Sequence, residues 1–306
     1  MSGETIAVFT KNRTNPAYEA ARLGADRTAA RNGARILHFV PDKPDDIEQQ
    51  IALVGQAVAA RPDAAVFVPV HLTALNASVS KLNAAGIPVV NYLNRLTAGR
   101  FVSYVGSDDY RLGRDIAAYL FRHLGGRGDV VMMEGVPGAV TSRERVRGFH
   151  DAARQYPGIR IVAARAGNYQ EATARQVMTE LLRELPRIDG VLSANDVMSL
   201  GILSALDAAG RSAPVIGVNA LPEAIDAIKA GKLLATVDFD ALKISCIATE
   251  AAIRHLRGEP VPGEIILPVS IVDRANYQPW DKPLEQRECP RWGDVVGNRQ
   301  SDPPIT

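Results

Sequence analysis

Cysteine is scarce: Cys246 and Cys289 are the two in 306 residues, too few for a disulfide scaffold or a zinc knuckle. One lies in the body of the chain and one near its end, so a single bridge between them and a pair of free thiols both stay open. An excess of either charge is also lacking. Thirty-five basic against 34 acidic side chains leave a formal net charge of +1, without the basic surplus that binding to nucleic acid requires. Long apolar runs are absent. The longest uncharged stretch, residues 64–80, carries Pro69, His71, Asn76 and several hydroxyls, which is wrong for a membrane span. No charged and then apolar leader precedes the first strand-like run, Thr5 to Thr10, so an exported protein would have lost its signal already. Catalytic signatures are missing as well: there is no GxSxG elbow, P-loop, HExxH, or GxGxxG after a strand. Neither an enzyme nor a cofactor or metal site is expected.

What the chain does have is a regular alternation of short apolar runs with longer amphipathic stretches, the pattern of βαβ units building parallel sheets. The first half holds runs starting at Thr5, Ala34, Ala64, Ile87 and Phe101, and the second at Asp129, Ile159, Ile188, Ala213 and Leu233. The longer spacings are about 30 residues, one strand plus one crossover helix. The fold class is therefore α/β, with two similar doubly wound parallel-sheet lobes. Asn15-Pro16 and Gly33 read as the start and stop of the first helix. Thr141 or Ser142, with Glu144, reads as the start of another running to Tyr156. Beyond Leu233 come a helix, about Ala241 to Arg257, and a final strand, Glu264 to Val272. Sending that helix to the first lobe and the strand onward gives three passages between lobes. The expected division is 1–107 plus 239–269, then 108–238 plus 270–280, with 281–306 a proline-rich, irregular tail.

In open parallel sheets ligands bind beyond the carboxyl ends of the strands. Those places hold Lys11, Asn15 and Tyr18, then His71, then Asn94 and Arg95 in the first half, and Arg143, Tyr169, Asn195, Asn219 and Asp238 in the second. Carboxamides, carboxylates and cationic forks suit a polyhydroxylated ligand, whose hydroxyls both donate and accept. Aromatic faces at Tyr18, Tyr169 and Phe239 suit the C–H side of a sugar ring. Each residue also has a plainer reading: Asn15 and Asn195 as helix caps, Tyr169 as packing, Arg143 as a solvated helix residue, His71 as a satisfied polar group.

The runs IAVFTKNRTNPAYEAARLGA from Ile6, AGIPVVNYLNR from Ala85, SYVGSDDYRLGR from Ser103, SRERVRGF from Ser142, VLSANDVMSLGILSAL from Val191 and VIGVNALPEAIDAIKAGKLLATV from Val215 carry a resemblance. In that order they resemble the type I periplasmic sugar-binding proteins of ABC transporters, the ribose-binding branch in particular, over about Thr5 to Asp273. The resemblance implies a two-lobed Venus-flytrap protein with a three-segment hinge, periplasmic and monomeric. Such a protein captures a monosaccharide or polyol by hinge closure and delivers it to a permease, and the eleven strand-end residues above would be its ligand contacts. Departures bear on the ligand. Ala17-Tyr18 stands where the branch has two aromatics, Asn94 and Asn219 where it has aspartates, and Asp238-Phe239 where it has a glutamine. Ribose itself is not expected. With Lys11, Arg95 and Arg143 present, a neutral sugar and a sugar acid both remain open. The effector domain of a lac repressor-like regulator shares the fold and is the alternative, although a first strand at Thr5 leaves no room for its DNA-binding headpiece.

Overall fold

The structure, a computed structural model, describes residues 3–296. The first half runs β1 (Thr5–Phe9), α1 (Pro16–Asn32), β2 (Arg35–Phe39), α2 (Ile47–Ala60), β3 (Ala64–Phe67), α3 (Asn76–Ala84), β4 (Val89–Tyr92) and β5 (Ser103–Gly106). The second runs α4 (Asp109–His123), β6 (Arg127–Glu134), α5 (Val140–Arg154), β7 (Gly158–Ala166), α6 (Glu171–Glu184), β8 (Gly190–Ser193), α7 (Asp196–Ala208), β9 (Val215–Val218), α8 (Pro222–Lys229) and β10 (Ala235–Asp238). Then follow α9 (Ala241–Leu256), β11 (Glu264–Ile266), β12 (Ser270–Asp273) and α10 (Trp292–Val296).

Two compact units result. One comprises Met1–Ser107, Asp240–Leu267 and Leu284–Thr306, the other Asp108–Phe239 and Pro268–Pro283. The first is built on a six-stranded parallel sheet of order β11-β5-β4-β3-β1-β2. Its central strands β3, β4 and β5 are buried along their whole length, as expected of a parallel sheet covered by helices on both faces. The second unit repeats the order as β12-β10-β9-β8-β6-β7, with β12 antiparallel to β10. Its core joins Val131, Met133, Val191 and Val215 of the sheet to Met178, Met198 and Ile202 of the helices.

Local chemistry explains the helix ends. Asn15 Oδ1 accepts the Ala17 amide at 3.0 Å, Pro16 is the first helical residue, and Gly33 closes α1 at φ 71°. The expected Thr141 or Ser142 cap on α5 does not form: Ala139 occupies the cap position, and the Thr141 hydroxyl instead meets the Tyr169 hydroxyl at 3.1 Å.

The expected single strand over Glu264–Val272 is two strands. β11 pairs with β5 and β12 with β10, separated at Leu267–Val269, where Pro268 has no N–H to continue a ladder. The chain thus passes between units after Ser107, Phe239 and Leu267, and once more after Pro283. The proline-rich segment, expected to be irregular, forms a 3-10 turn at Leu284–Gln286 and the short helix α10. It is bound to the first unit by a Cys246–Cys289 disulfide to α9. The Arg27 guanidinium donates to the carbonyls of Glu285 and Arg287, and Arg254 lies 4.8 Å from the centre of the Trp292 ring. Residues 297–306 of that expected tail lie outside the described residues.

Candidate functional site

In the first unit the order β2-β1-β3-β4-β5 reverses between β1 and β3, the place beyond whose strand ends this topology binds ligands. The β1 end is closely tied. Lys11 and Asn12 are buried; Lys11 Nζ lies 3.1 Å from Asp45 Oδ1 and 6.0 Å from the Tyr18 ring centre, and Asn12 Nδ2 donates to Asp45 Oδ2 at 3.0 Å. Asn12 Oδ1 accepts the Asn15 amide at 2.9 Å, which seats the start of α1 on this loop. Lys11, Asn15 and Tyr18 are thereby brought together.

The β4 end is organised by a residue absent from the sequence-derived candidates. Asn91 is buried, donates from Nδ2 to Phe67 O and Asn94 O at 3.0 and 2.9 Å, and accepts the Leu96 amide at 3.0 Å. It shapes the loop that carries Asn94, which is buried, and Arg95, which is exposed. Arg95 pairs with Glu264 and stacks 3.9 Å over the Tyr104 ring centre. His71 serves its own turn: Nδ1 accepts the amides of Thr73 and Ala74, each at 3.3 Å.

In the second unit both members of an ion pair are largely enclosed. Arg143 projects outward, its side chain 62% exposed and paired with Glu144. Two residues on, the Arg145 side chain is 6% exposed; Nε donates to Asp109 Oδ1 at 2.9 Å and Nη1 to Ala194 O at 2.8 Å, while the guanidinium lies 5.6 Å from the Phe239 ring centre. This is possible because α4 and α5 nearly touch: a Cβ on Gly113 would meet Arg145 O at 2.4 Å, and one on Gly148 would meet Tyr110 O at 2.3 Å. Burial pushes the Asp109 carboxyl above the usual carboxylate range, against the opposing pull of Arg145.

Tyr169, half-buried, lies against Gly135, where a Cβ would fall 2.1 Å from the ring. Asn195 caps α7 through the Met198 amide at 2.9 Å, so its plain reading holds. Asn219 follows β9 with φ 124°, its amide donating to Val237 O at 2.8 Å. Asp238 is buried at the end of β10, and Trp280 Nε1 donates to its Oδ2 at 2.5 Å.

Arg145 is absent from the sequence-derived candidates; the signal that marks it is the helical spacing of Ser142, Arg145, Phe149 and Ala152, a stripe the structure buries. Trp280 carried no such signal, because no periodic pattern surrounds it. Among the described residues no cluster of His, Cys, Asp or Glu could hold a metal ion, and no helix is long and apolar enough to cross a membrane.

The profile of the periplasmic binding protein domain matches residues 6–260. The chain belongs to the periplasmic binding protein family. Within it, the ribose import binding protein of Bacillus subtilis is 32% identical over 267 residues, 87% of this chain and 86% of that one. A D-ribose/D-allose-binding protein of Pseudomonas aeruginosa is 33% identical over 83% of this chain and 82% of that protein. Among solved structures, an ABC transporter periplasmic solute-binding protein of Actinobacillus succinogenes with bound D-allose has a TM-score of 0.86 at 31% identity, covering 90% of this chain and 99% of that one. One of Bacillus halodurans with bound myo-inositol reaches the same score at 25% identity, covering 92% and 98%. Family membership accounts for the paired α/β units, and its members are binding proteins and not enzymes.

Proposed function

We propose that this protein is the solute-binding component of an ABC importer for a neutral monosaccharide or polyol, with contacts supplied by Lys11, Asn15, Tyr18, Asn94 and Arg95 of the first unit and Tyr169, Asn195, Asn219 and Asp238 of the second. The observation that carries the choice of a neutral ligand is the pairing of the cations. Lys11 is held by Asp45, Arg95 by Glu264, Arg143 by Glu144 and Arg145 by Asp109. Among the described residues an anion would find no buried positive charge awaiting compensation, which removes the argument for a sugar acid. Relatives named for ribose and allose, and solved structures with bound D-allose and myo-inositol, support the class and favour the importer over the regulator. The nearly balanced charge supports a protein with no nucleic acid partner. The disulfide suits an oxidising compartment such as the periplasm, from which the monomeric protein would serve a permease.

A thermal-shift panel of D-ribose, D-allose, myo-inositol, other hexoses and pentoses, and the matching sugar acids tests this. A neutral member is expected to bind with a Kd near micromolar, about −8 kcal/mol. At 100 times that Kd it adds about 2.7 kcal/mol of stability. Silence across the panel, or tighter binding of an acid than of its parent sugar, would overturn the reading.

A further inference from the structure

Directly after Asn195, the first residue of α7 is a carboxylate with no exposure at all. Asp196 is 0% accessible, and its two oxygens reach two other chain segments. Oδ2 accepts the backbone N–H of Leu221 at 3.0 Å, in the loop between β9 and α8. Oδ1 accepts the hydroxyl of Thr236 on β10 at 2.7 Å, and that hydroxyl in turn accepts the Ala220 amide at 3.3 Å. The carboxylate lies flat on β9, since a Cβ on Gly217 would stand 2.1 Å from Oδ1.

The segment so held is bent. Asn219 and Ala220 have φ of 124° and 51°, in the range that favours glycine and that other residues keep only where their surroundings enforce it. All three successive amides of this turn are anchored: Asn219 to Val237 O, Ala220 to the Thr236 hydroxyl, Leu221 to Asp196. Removing the carboxylate deletes one anchor and frees the hydroxyl that forms the second.

We propose that Asp196 is a positioning residue that holds the 219–221 turn in its left-handed form and so sets Asn219 in fixed relation to Asn195 and Asp238. A buried carboxylate has a high desolvation cost, and a purely structural link between α7 and β9 needs no charge: Ser199 Oγ already donates to Ile216 O at 3.3 Å. The carboxylate is the group whose acceptors reach a strained turn. The reading rests on the proposed sugar site for its consequence in binding, but not for the turn itself.

The test compares wild type with Asp196→Asn and, as a milder variant that leaves the carboxylate in place, Thr236→Val. Amide hydrogen exchange is followed in the absence of ligand, and affinity is measured for D-ribose, D-allose and myo-inositol. In Asp196→Asn, exchange at Ala220 and Leu221 is expected to rise about 10-fold or more while the core of β6 and β8 keeps its protection. In Thr236→Val, Ala220 is expected to rise more than Leu221. Any of the three sugars that binds wild type should bind Asp196→Asn about 10-fold more weakly. Unchanged protection at Ala220 and Leu221 in a folded Asp196→Asn protein overturns the proposal, as does a loosened turn with unaltered sugar affinity. If none of the three sugars binds wild type, the choice of ligand has failed, and the exchange arm still decides whether Asp196 holds the turn.

Discussion

The two units share a strand order but not a way of bracing their strand ends. The first relies on neutral groups, apart from Lys11, whose partner Asp45 is exposed. Gln50, fully buried, donates to Val68 O at 2.9 Å and accepts the Val70 amide at 2.8 Å; Asn91 makes three such bonds, and the Tyr92 hydroxyl donates to Phe9 O at 2.9 Å. The second uses ions: Asp196 on two segments, and Arg145 between Asp109 and Ala194 O. A carboxamide carries donor and acceptor together, so it can close a loop without burying charge. An ion makes stronger bonds but becomes costly when its partner is lost. Sensitivity to truncation and to pH should therefore concentrate in the second unit.

The largest effect that could break this comparison is at the Arg145–Asp109 pair. Arg145→Met strands a largely enclosed carboxylate and is expected to lower stability by roughly 3–5 kcal/mol in denaturant unfolding, with Asp109→Leu in the same chain restoring part of it. A loss under 1 kcal/mol would mean that the pair is no more valuable than a surface contact. Next comes the one covalent brace, which belongs to the first unit. Reduction of Cys246–Cys289, with a sequence separation of 43, should cost roughly 2–4 kcal/mol and detach the segment around α10. Alkylation before and after reductant checks it by mass: labels must appear only afterwards.

Titration sharpens the contrast. Burial lifts the Asp196 carboxyl to about 6, above its ordinary 3.8, with hydrogen bonds from Thr236 and Leu221 pulling the other way. The raised value means that the protonated form is favoured in the folded state. Its stabilising contribution is complete below the ordinary value and is lost as pH rises through about 6. Relative to Asp196→Asn, wild type should gain about 2 kcal/mol between pH 7 and pH 4. A difference that stays flat across this range would count against a titrating carboxylate at this position. In the first unit, Asn91→Ala leaves the Leu96 amide unpaired and should cost about 2 kcal/mol with little dependence on pH, checked by the same unfolding measurement.

Much of this was legible in the sequence because strand and helix periods are local. The apolar runs starting at Thr5, Ala64, Ile188 and Ala213 contain the strands β1, β3, β8 and β9, and the Asn15-Pro16 and Gly33 signals mark both ends of α1. What local pattern could not supply was tertiary pairing. Glu264–Val272 reads as one strand because nothing in its composition says that β11 and β12 join different sheets. Thr141 reads as a cap, yet its hydroxyl is taken by Tyr169, 28 residues away. Asn91 reads as one more strand residue: its bond to Phe67 follows only from the placement of β3 beside β4, and its bonds to Asn94 and Leu96 only from the way the next loop folds back on it.

The smallest expected effect tests where the cation of α5 acts. Arg143 and Arg145 are two residues apart, about 200° around a helix, so only one of them can face the sheet. Its place beyond a strand end and the family resemblance point to Arg143 as the ligand contact. The fold turns Arg145 inward, on the stripe of Ser142, Phe149 and Ala152, and leaves Arg143 in solvent beside Glu144. An exposed ion pair of this kind contributes little, because water screens it and two long side chains must be ordered to form it. Arg143→Ala should therefore change stability by less than about 0.5 kcal/mol and leave sugar affinity within about twofold. A tenfold loss of affinity in Arg143→Ala with unaltered melting temperature would restore Arg143 as a ligand contact, beside Arg145 as the internal brace.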